Sequence, residues 1–438
     1  MREGMEMKFA ILLACLSATA TPASSDELPL ADAGRIEQRI QALARFGANP
    51  NGGVSRVAFG AADLAGREYV KGLMRDAGLA VRVDAAGNII GRIEGTGSAL
   101  PVIILGSHID SVPEGGNYDG DVGVIGAIEA ATLLRERGIA THHPLEIVSF
   151  TDEEGGTVGS KAMAGKIGRD ALGLMSQSGL TVGDGIRAVG GDPDRLDTAR
   201  REPGDIEAYL ELHIEQGAIL DEAGVDIGVV EGIVGIRWWD VTIEGAANHA
   251  GTTPMDRRRD ALLSAAELVL AVNRVAATTP GTQVATVGKI RAEPGAPNVI
   301  PGRVVMSLEI RDLAEAKMES VYRSIASEAA KIAQARETPV NFVEVDIALK
   351  PAPTDARLRG LIARSAADLG LSHRVMPSGA GHDAQEIANV TPIGMIFVPS
   401  KGGISHSPRE FTAPADMANG VNVLLRTMLA IDGGALTK

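Results

Sequence analysis

Short, largely apolar runs alternate with stretches of helical periodicity along most of the chain. Val102 to Leu105, Leu145 to Phe150, Tyr209 to Ile214 and Ile393 to Val398 have the pattern of strands buried on both faces. Ile36, Ile40 and Leu43 recur at helical spacing behind Asp32, and further helices are expected over Asp63 to Ala77, Asp355 to Asp368 and Ala415 to Ile431. Such alternation predicts a layered α/β domain. The rhythm changes between residues 235 and 348. There the pattern reads strand (Ile236 to Ile243), helix (Asp256 to Ala276), strand (Gln283 to Arg291), strand (Arg303 to Arg311), helix (Ala314 to Ala335) and strand (Val340 to Ile347). That is the β-α-β-β-α-β order of a ferredoxin-like α+β sandwich. The expected organisation is a discontinuous main domain, residues 26–231 and 351–438, interrupted by an inserted domain over residues 232–350.

With 438 residues, the chain is long enough for these two domains. Its net charge of −14 would repel nucleic acid and anionic membranes, so neither is an expected partner. The single Cys excludes an intrachain disulfide framework and a zinc site built from several thiolates. That Cys, Cys15, lies in an N-terminal stretch with a basic flank at Lys8, an apolar centre from Phe9 and a small-residue end at Ala18-Thr19-Ala20. This is the layout of a signal peptide over residues 1–20, with a lipid anchor at Cys15 as the alternative, and it predicts a periplasmic or secreted protein. A retained segment would instead leave the protein cytoplasmic. No run in the chain approaches the roughly 20 apolar residues of a membrane span.

Several polar clusters sit in or just after the apolar runs: Gly106-Ser-His108-Ile-Asp110, Thr151-Asp-Glu153-Glu154, Glu211-Leu-His213-Ile-Glu215-Gln216 and Lys401-Gly-Gly-Ile-Ser-His406. In an open α/β sheet, ligands gather beyond the carboxyl ends of the strands, so these clusters can converge. Asp119, in a Gly-rich turn before the apolar run Val122 to Leu134, reads either as a helix cap or as a carboxylate bridging two metal ions. His, Asp and Glu donors suit Zn²⁺, with Mn²⁺ or Ni²⁺ as alternatives. Repulsion makes the adjacent Glu153 and Glu154 costly unless a cation or a raised pKa offsets it, so one can ligate a metal while the other moves protons. In the inserted stretch, Asn298 and Arg311 offer donors suited to a carboxylate, and His249 one suited to an oxygen that gains charge. Turn chemistry and a surface ion pair are the plainer readings of these three. His382 is expected to line the cleft. Trp238 and Trp239, neighbours on a strand, face opposite sides.

Together GSHIDSVPEGGNYDGDVGV, TDEEG, ELHIEQG, NHAGTTPMDRRRDAL, PNVIP, SLEIRD, GAGHDA and GGISHSP resemble the zinc-dependent amidase/hydantoinase/carbamoylase family, in order from about Arg35 to Ile431. The family comprises N-carbamoyl-L-amino-acid hydrolases, allantoate amidohydrolases and β-ureidopropionases, relatives of metallo-aminoacylases and carboxypeptidases. The resemblance implies a two-metal site with His108, Asp119, Glu154, His213 and His406 as ligands, Asp119 bridging. Glu153 would be the general base and acid, and Asp110 would orient His108. Gln216, Asn298 and Arg311 would hold the substrate carboxylate. His249 would reach the site of a partner subunit in a homodimer formed through the inserted domain. The implied activity is hydrolysis of a linear C–N bond in an N-carbamoyl or ureido acid. An aminoacylase or dipeptidase on the same site is the alternative, and a non-catalytic binding protein a third reading. One departure bears on the substrate: where the family commonly has Gly-Ser-Arg-Phe after the second glutamate, this chain has Gly155-Gly156-Thr157-Val158.

Overall fold

In the computed structural model, residues 29–97 and 99–436 are described. The expected leader over residues 1–20, with Cys15, lies outside them. A nine-stranded sheet forms the centre of the fold. Its middle consists of four adjacent parallel strands, in the order Leu145–Phe150, Val102–His108, Ile206–Ile214 and Ile393–Val398. These are the four apolar runs, and nearly all their residues are buried. Antiparallel strands Ala80–Val83 and Ile89–Ile93 extend one side, and Ile227–Ile233 extends the other.

The helix Asp121–Arg137 is apolar nearly all round because it is covered on both sides. It lies on the sheet and under the helices Ala33–Leu43 and Pro414–Asp432, and its residues from Asp121 to Leu134 are all buried. Close packing demands small residues on it: a Cβ on Gly123 would lie 2.3 Å from the Leu212 carbonyl oxygen and 2.5 Å from Ser107 Cβ.

A second sheet comes wholly from residues 235–349, in the order Ile290–Glu293, Arg303–Asp312, Gly235–Glu244, Val340–Leu349, all antiparallel. Counted along the chain, that is the 2-3-1-4 order of a ferredoxin-like sandwich, with the helices Ala261–Thr278 and Glu315–Arg336 packed together on one face. The main chain leaves the central sheet after Ile233 and rejoins it at Ala352–Pro353. Two local expectations need correction. The helix expected from Asp256 starts at Ala261, because Pro254 and a single 3₁₀ turn precede Asp260, whose carboxylate caps the Leu262 and Leu263 amides. The strand expected over Gln283 to Arg291 is split into Val284–Thr286 and Ile290–Glu293, with Gly288 in the break.

Ala261–Thr278 is the one described helix long and apolar enough to cross a membrane. Its buried face, including Ala265, Leu268 and Val272, covers the second sheet.

Candidate active site

The four parallel strands end side by side, so the residues at their carboxyl ends meet. His108 is the last residue of Val102–His108, and Glu153 and Glu154 open a helical turn three residues after Leu145–Phe150. His213 is the penultimate residue of Ile206–Ile214, and His406 lies in the loop after Ile393–Val398. Asp119 enters from the turn before Asp121–Arg137. It is not the helix cap: that position is Gly120, whose φ of 68° is left-handed. A Cβ on Gly120 would also lie 2.5 Å from the His108 ring, so only glycine lets Asp119 and His108 come this close.

The two carboxylate oxygens of Asp119 face two different sets of donors. His213 Nε2 lies 3.2 Å and His108 Nε2 3.9 Å from Oδ1. His406 Nε2 lies 3.1 Å from Oδ2 and 3.4 Å from Glu154 Oε1. Within each set, His108, Asp119 and His213 or Asp119, Glu154 and His406, the ligand atoms lie within 4.8 Å of one another. Both inner histidines are held by their other ring nitrogen: His108 Nδ1 is 3.0 Å from the Asp110 carbonyl oxygen, and His213 Nδ1 is 2.9 Å from that of Ile214. Nε2 of each is therefore aimed at Asp119, and the buried His213 Nε2 has no aligned hydrogen-bond partner.

The electrostatics point the same way. Burial alone would raise the Asp119 carboxyl, but the close imidazoles of His213 and His406 hold it well below the usual range. Burial likewise lowers the His213 ring, but the Asp119 carboxylate outweighs it and pushes the ring up to about 9. His406, bonded to the same carboxylate, also rises to about 9. Burial, then Asp119, pushes Glu154 up to about 8, and burial, Asp383 and Glu154 raise Glu153 well above the ordinary carboxyl value. Three converging carboxylates and three histidines, with an orphaned imidazole nitrogen among them, fit a pair of divalent cations bridged by Asp119.

The cavity over this cluster, about 450 Å³, is also lined by Gln216, His382, Arg311, Trp238, Lys161 and Leu349. Arg311 comes from the second sheet. Its Nε donates to Glu309 Oε1 at 2.7 Å and its Nη1 to the Gly379 carbonyl at 2.9 Å. Residues 309 and 311 share a face of their strand, and Glu309 also accepts from the Trp238 indole, so one carboxylate positions both groups. Trp239 points the other way and stacks on Tyr322 in the core of the second sheet. His382 donates to or accepts from Ser378 Oγ at 2.8 Å through Nε2, and its ring lies 4.4 Å from that of His213.

Four expectations take a different form. The Asp110 carboxylate comes within 3.9 Å of His108 Nδ1, but the hydrogen bond from that ring is accepted by the Asp110 backbone carbonyl. The carboxylate accepts the Glu153 and Glu154 amides at 3.2 and 3.1 Å and so clamps the turn that presents both glutamates. Gln216, expected on the substrate, uses Nε2 to donate to Asp119 Oδ2 at 2.8 Å. Asn298 and His249 do not line this cavity. They lie on a short ribbon pairing Asn248–His249 with Val299–Ile300, and His249 is exposed. Its Nδ1 accepts from the Gly251 and Thr252 amides at 3.0 and 3.3 Å, which leaves the outward Nε2 as the ring's donor. Lys161 and Trp238 were not singled out as cavity residues. A strand's alternation tells that neighbouring tryptophans diverge, not which one meets another sheet.

Residues 104–430 match the Peptidase family M20/M25/M40. The chain is 42% identical to an N-carbamoyl-L-amino acid amidohydrolase of Geobacillus stearothermophilus, over 91% of this chain and 98% of that protein. It is 39% identical to a ureidoglycolate hydrolase of Arabidopsis thaliana, over 91% and 86% of the two. Among solved structures, a hydantoinase/carbamoylase family amidase of Burkholderia multivorans superposes with a TM-score of 0.84 at 36% identity, covering 92% of this chain and 98% of that one. Matched over most of its length and superposing on the same fold, the chain belongs to peptidase family M20/M25/M40, in its hydantoinase/carbamoylase amidase branch.

Proposed function

We propose that this protein hydrolyses a linear C–N bond of a small N-carbamoyl or ureido acid, releasing ammonia, carbon dioxide and an amino acid. The carrying observation is the division of the two Asp119 oxygens between two donor sets, with the Glu153 carboxylate beside them. His108 and His213 would hold one divalent ion, Glu154 and His406 the other, with Asp119 between them; Zn²⁺ suits the donors, and Mn²⁺ and Ni²⁺ remain compatible. Such ions polarise a carbonyl and lower the pKa of water toward about 7. Everything else falls to the chain itself. Glu153, raised and facing His108 Nε2 at 3.7 Å, takes the proton of the attacking water and passes it to the departing nitrogen. Asp110 keeps that glutamate in place, and Arg311 offers a fork to the substrate carboxylate.

The protein acts as a homodimer, in which His249 of one copy donates Nε2–H to the oxygen gaining charge in the other copy's site, and Asn298 arrives with it. Two features support this: the ribbon's exposure away from its own cavity, and the exposed Leu262, Leu263 and Leu270 on the helix Ala261–Thr278. The signal-peptide layout of residues 1–20 supports a periplasmic or secreted protein.

The test is ammonia release by the metal-loaded protein from N-carbamoyl-amino acids, allantoate and 3-ureidopropionate, beside N-acyl-amino acids and dipeptides. Ammonia from at least one ureido acid is expected. Turnover confined to acyl-amino acids or dipeptides would overturn the reading in favour of an aminoacylase or dipeptidase.

A further inference from the structure

Two cations face the active cavity, and they differ in what they are bound to. Arg311 is committed to Glu309 and to the Gly379 carbonyl. Lys161, on the short helix Val158–Met163, gives its ammonium to one neutral acceptor, the Gly156 carbonyl, at 2.9 Å. No carboxylate among the described residues lies within ion-pair distance of it, although the cavity it lines also holds Asp119, Glu153 and Glu154. An ammonium carries three donors, so two of them are uncommitted.

Further charged residues lie on that side. Lys161 and Leu349 are shared with a neighbouring cleft of about 590 Å³ whose charged residues are Lys161, Lys166, Lys350 and Glu386. Lys166 is neutralised by Glu386 at 3.0 Å. Trp238 and Leu349 are the only large apolar side chains on the active cavity's wall among the described residues. The turn from Gly155 to Val158 carries no cationic side chain, so Lys161 is the one cation this segment brings to the cavity.

We propose that Lys161 binds a second carboxylate of the substrate, so that the preferred substrates are ureido acids carrying two carboxylates, one on Arg311 and one on Lys161. The inference rests on the ureido-acid reading above. An acidic side chain gains a charge-assisted hydrogen bond from Lys161, whereas an apolar one would desolvate the ammonium without repaying it.

Steady-state ammonia release from N-carbamoyl-L-aspartate and N-carbamoyl-L-glutamate, set against N-carbamoyl-L-methionine, tests the preference. The intact enzyme is expected to favour the dicarboxylates by about tenfold or more in kcat/KM. Lys161→Met should collapse that ratio by about tenfold, mainly through KM, and Lys161→Arg should restore most of it. A parallel calorimetric titration of the Glu153→Gln protein reads binding without turnover: N-carbamoyl-L-aspartate should bind more tightly than N-carbamoyl-L-methionine, and adding Lys161→Gln should remove the difference. A preference for the methionine compound, or equal losses on both substrates in Lys161→Met and Lys161→Gln, would overturn the inference while leaving the ureido-acid reading intact. Absence of ammonia from every ureido acid would instead overturn that reading, and the calorimetric arm would still decide the role of Lys161.

Discussion

The polar residues at the carboxyl ends of the central strands and those of the ribbon in the inserted sheet solve opposite problems. At the strand ends, His108, His213, Asp119 and Asp110 are buried, the two rings and Asp110 oriented by backbone carbonyls and amides and Asp119 by Gln216, and their charges mutually costly. At the ribbon, Asn248, His249 and Asn298 are exposed, at no desolvation cost, and outside the lining of their own chain's cavity. The first group is preorganised by one chain's fold, the second only by whatever meets the ribbon. A buried cluster therefore loses function through its own geometry, whereas an exposed one loses it through assembly.

The strongest way to break this contrast is at its centre. Asp119→Ala removes the one group that both donor sets share, so metal content by mass spectrometry should fall sharply and turnover become undetectable, with the far-ultraviolet circular dichroism retained. Retention of two ions per chain would disprove the bridging role. Glu153→Gln should keep the metals and cost about 10²–10⁴ in kcat, since it removes proton transfer alone. His249→Ala should keep metal content and lower kcat by about 10²–10³, the scale of a lost donor to developing charge. Mixing the His249→Ala and Glu153→Gln proteins should then recover activity, because some sites combine an intact Glu153 with an intact His249 from the other copy. Failure of the mixture to recover would place His249 in its own chain's site and erase the contrast.

Proton release sharpens the same comparison. In the metal-free cluster Glu154 sits at about 8 and His213 and His406 at about 9, so at pH 7 these groups hold protons that a metal must displace. Metal affinity should rise with pH up to about 9 and level off above it, and calorimetry in buffers of different ionisation enthalpy should show proton release at pH 7. An affinity independent of pH from 6 to 9 would contradict the cluster's assignment.

Much of the central site is legible because a parallel strand writes itself twice in the sequence, once as an apolar run and once as the polar residues where the run ends. His108, His213 and the Glu153-Glu154 pair follow such runs directly, and Gly120 marks the tight approach beside Asp119. The ferredoxin-like order of the insert is equally legible from its changed rhythm. Side-chain direction is less so. That the Asp110 carboxylate turns to the Glu153 and Glu154 amides depends on the two-residue connection Thr151-Asp152 closing over it, and that Gln216 turns to Asp119 depends on its left-handed backbone, φ 58°. Lys161 and Trp238 face the cavity only because distant segments pack there, which no local periodicity encodes. The split of the strand at Gly288 shows a similar limit, since an apolar pattern does not reveal where pairing lapses.

The smallest effect is expected from the richest polar network of the inserted sheet, and it separates burial from mere abundance of contacts. Arg237 pairs with Glu344 at 2.7 Å and Glu319 at 2.8 Å, and its guanidinium lies 4.8 Å from the Trp239 ring centre. Under the active site, Arg56 pairs with Asp121 at 2.5 Å and bonds the carbonyls of Ile109, Leu43 and Phe46, with both side chains 1% exposed. Asp121→Ala strands a buried guanidinium and should cost about 3–5 kcal/mol in urea unfolding. Arg237→Met leaves two carboxylates that water can reach and an aliphatic chain still covering Trp239, so it should cost no more than about 1 kcal/mol. Equal losses from the two variants would mean that the inserted sheet's network is as dry as the central one. The exposed, assembly-dependent character assigned to that region would then have to be abandoned.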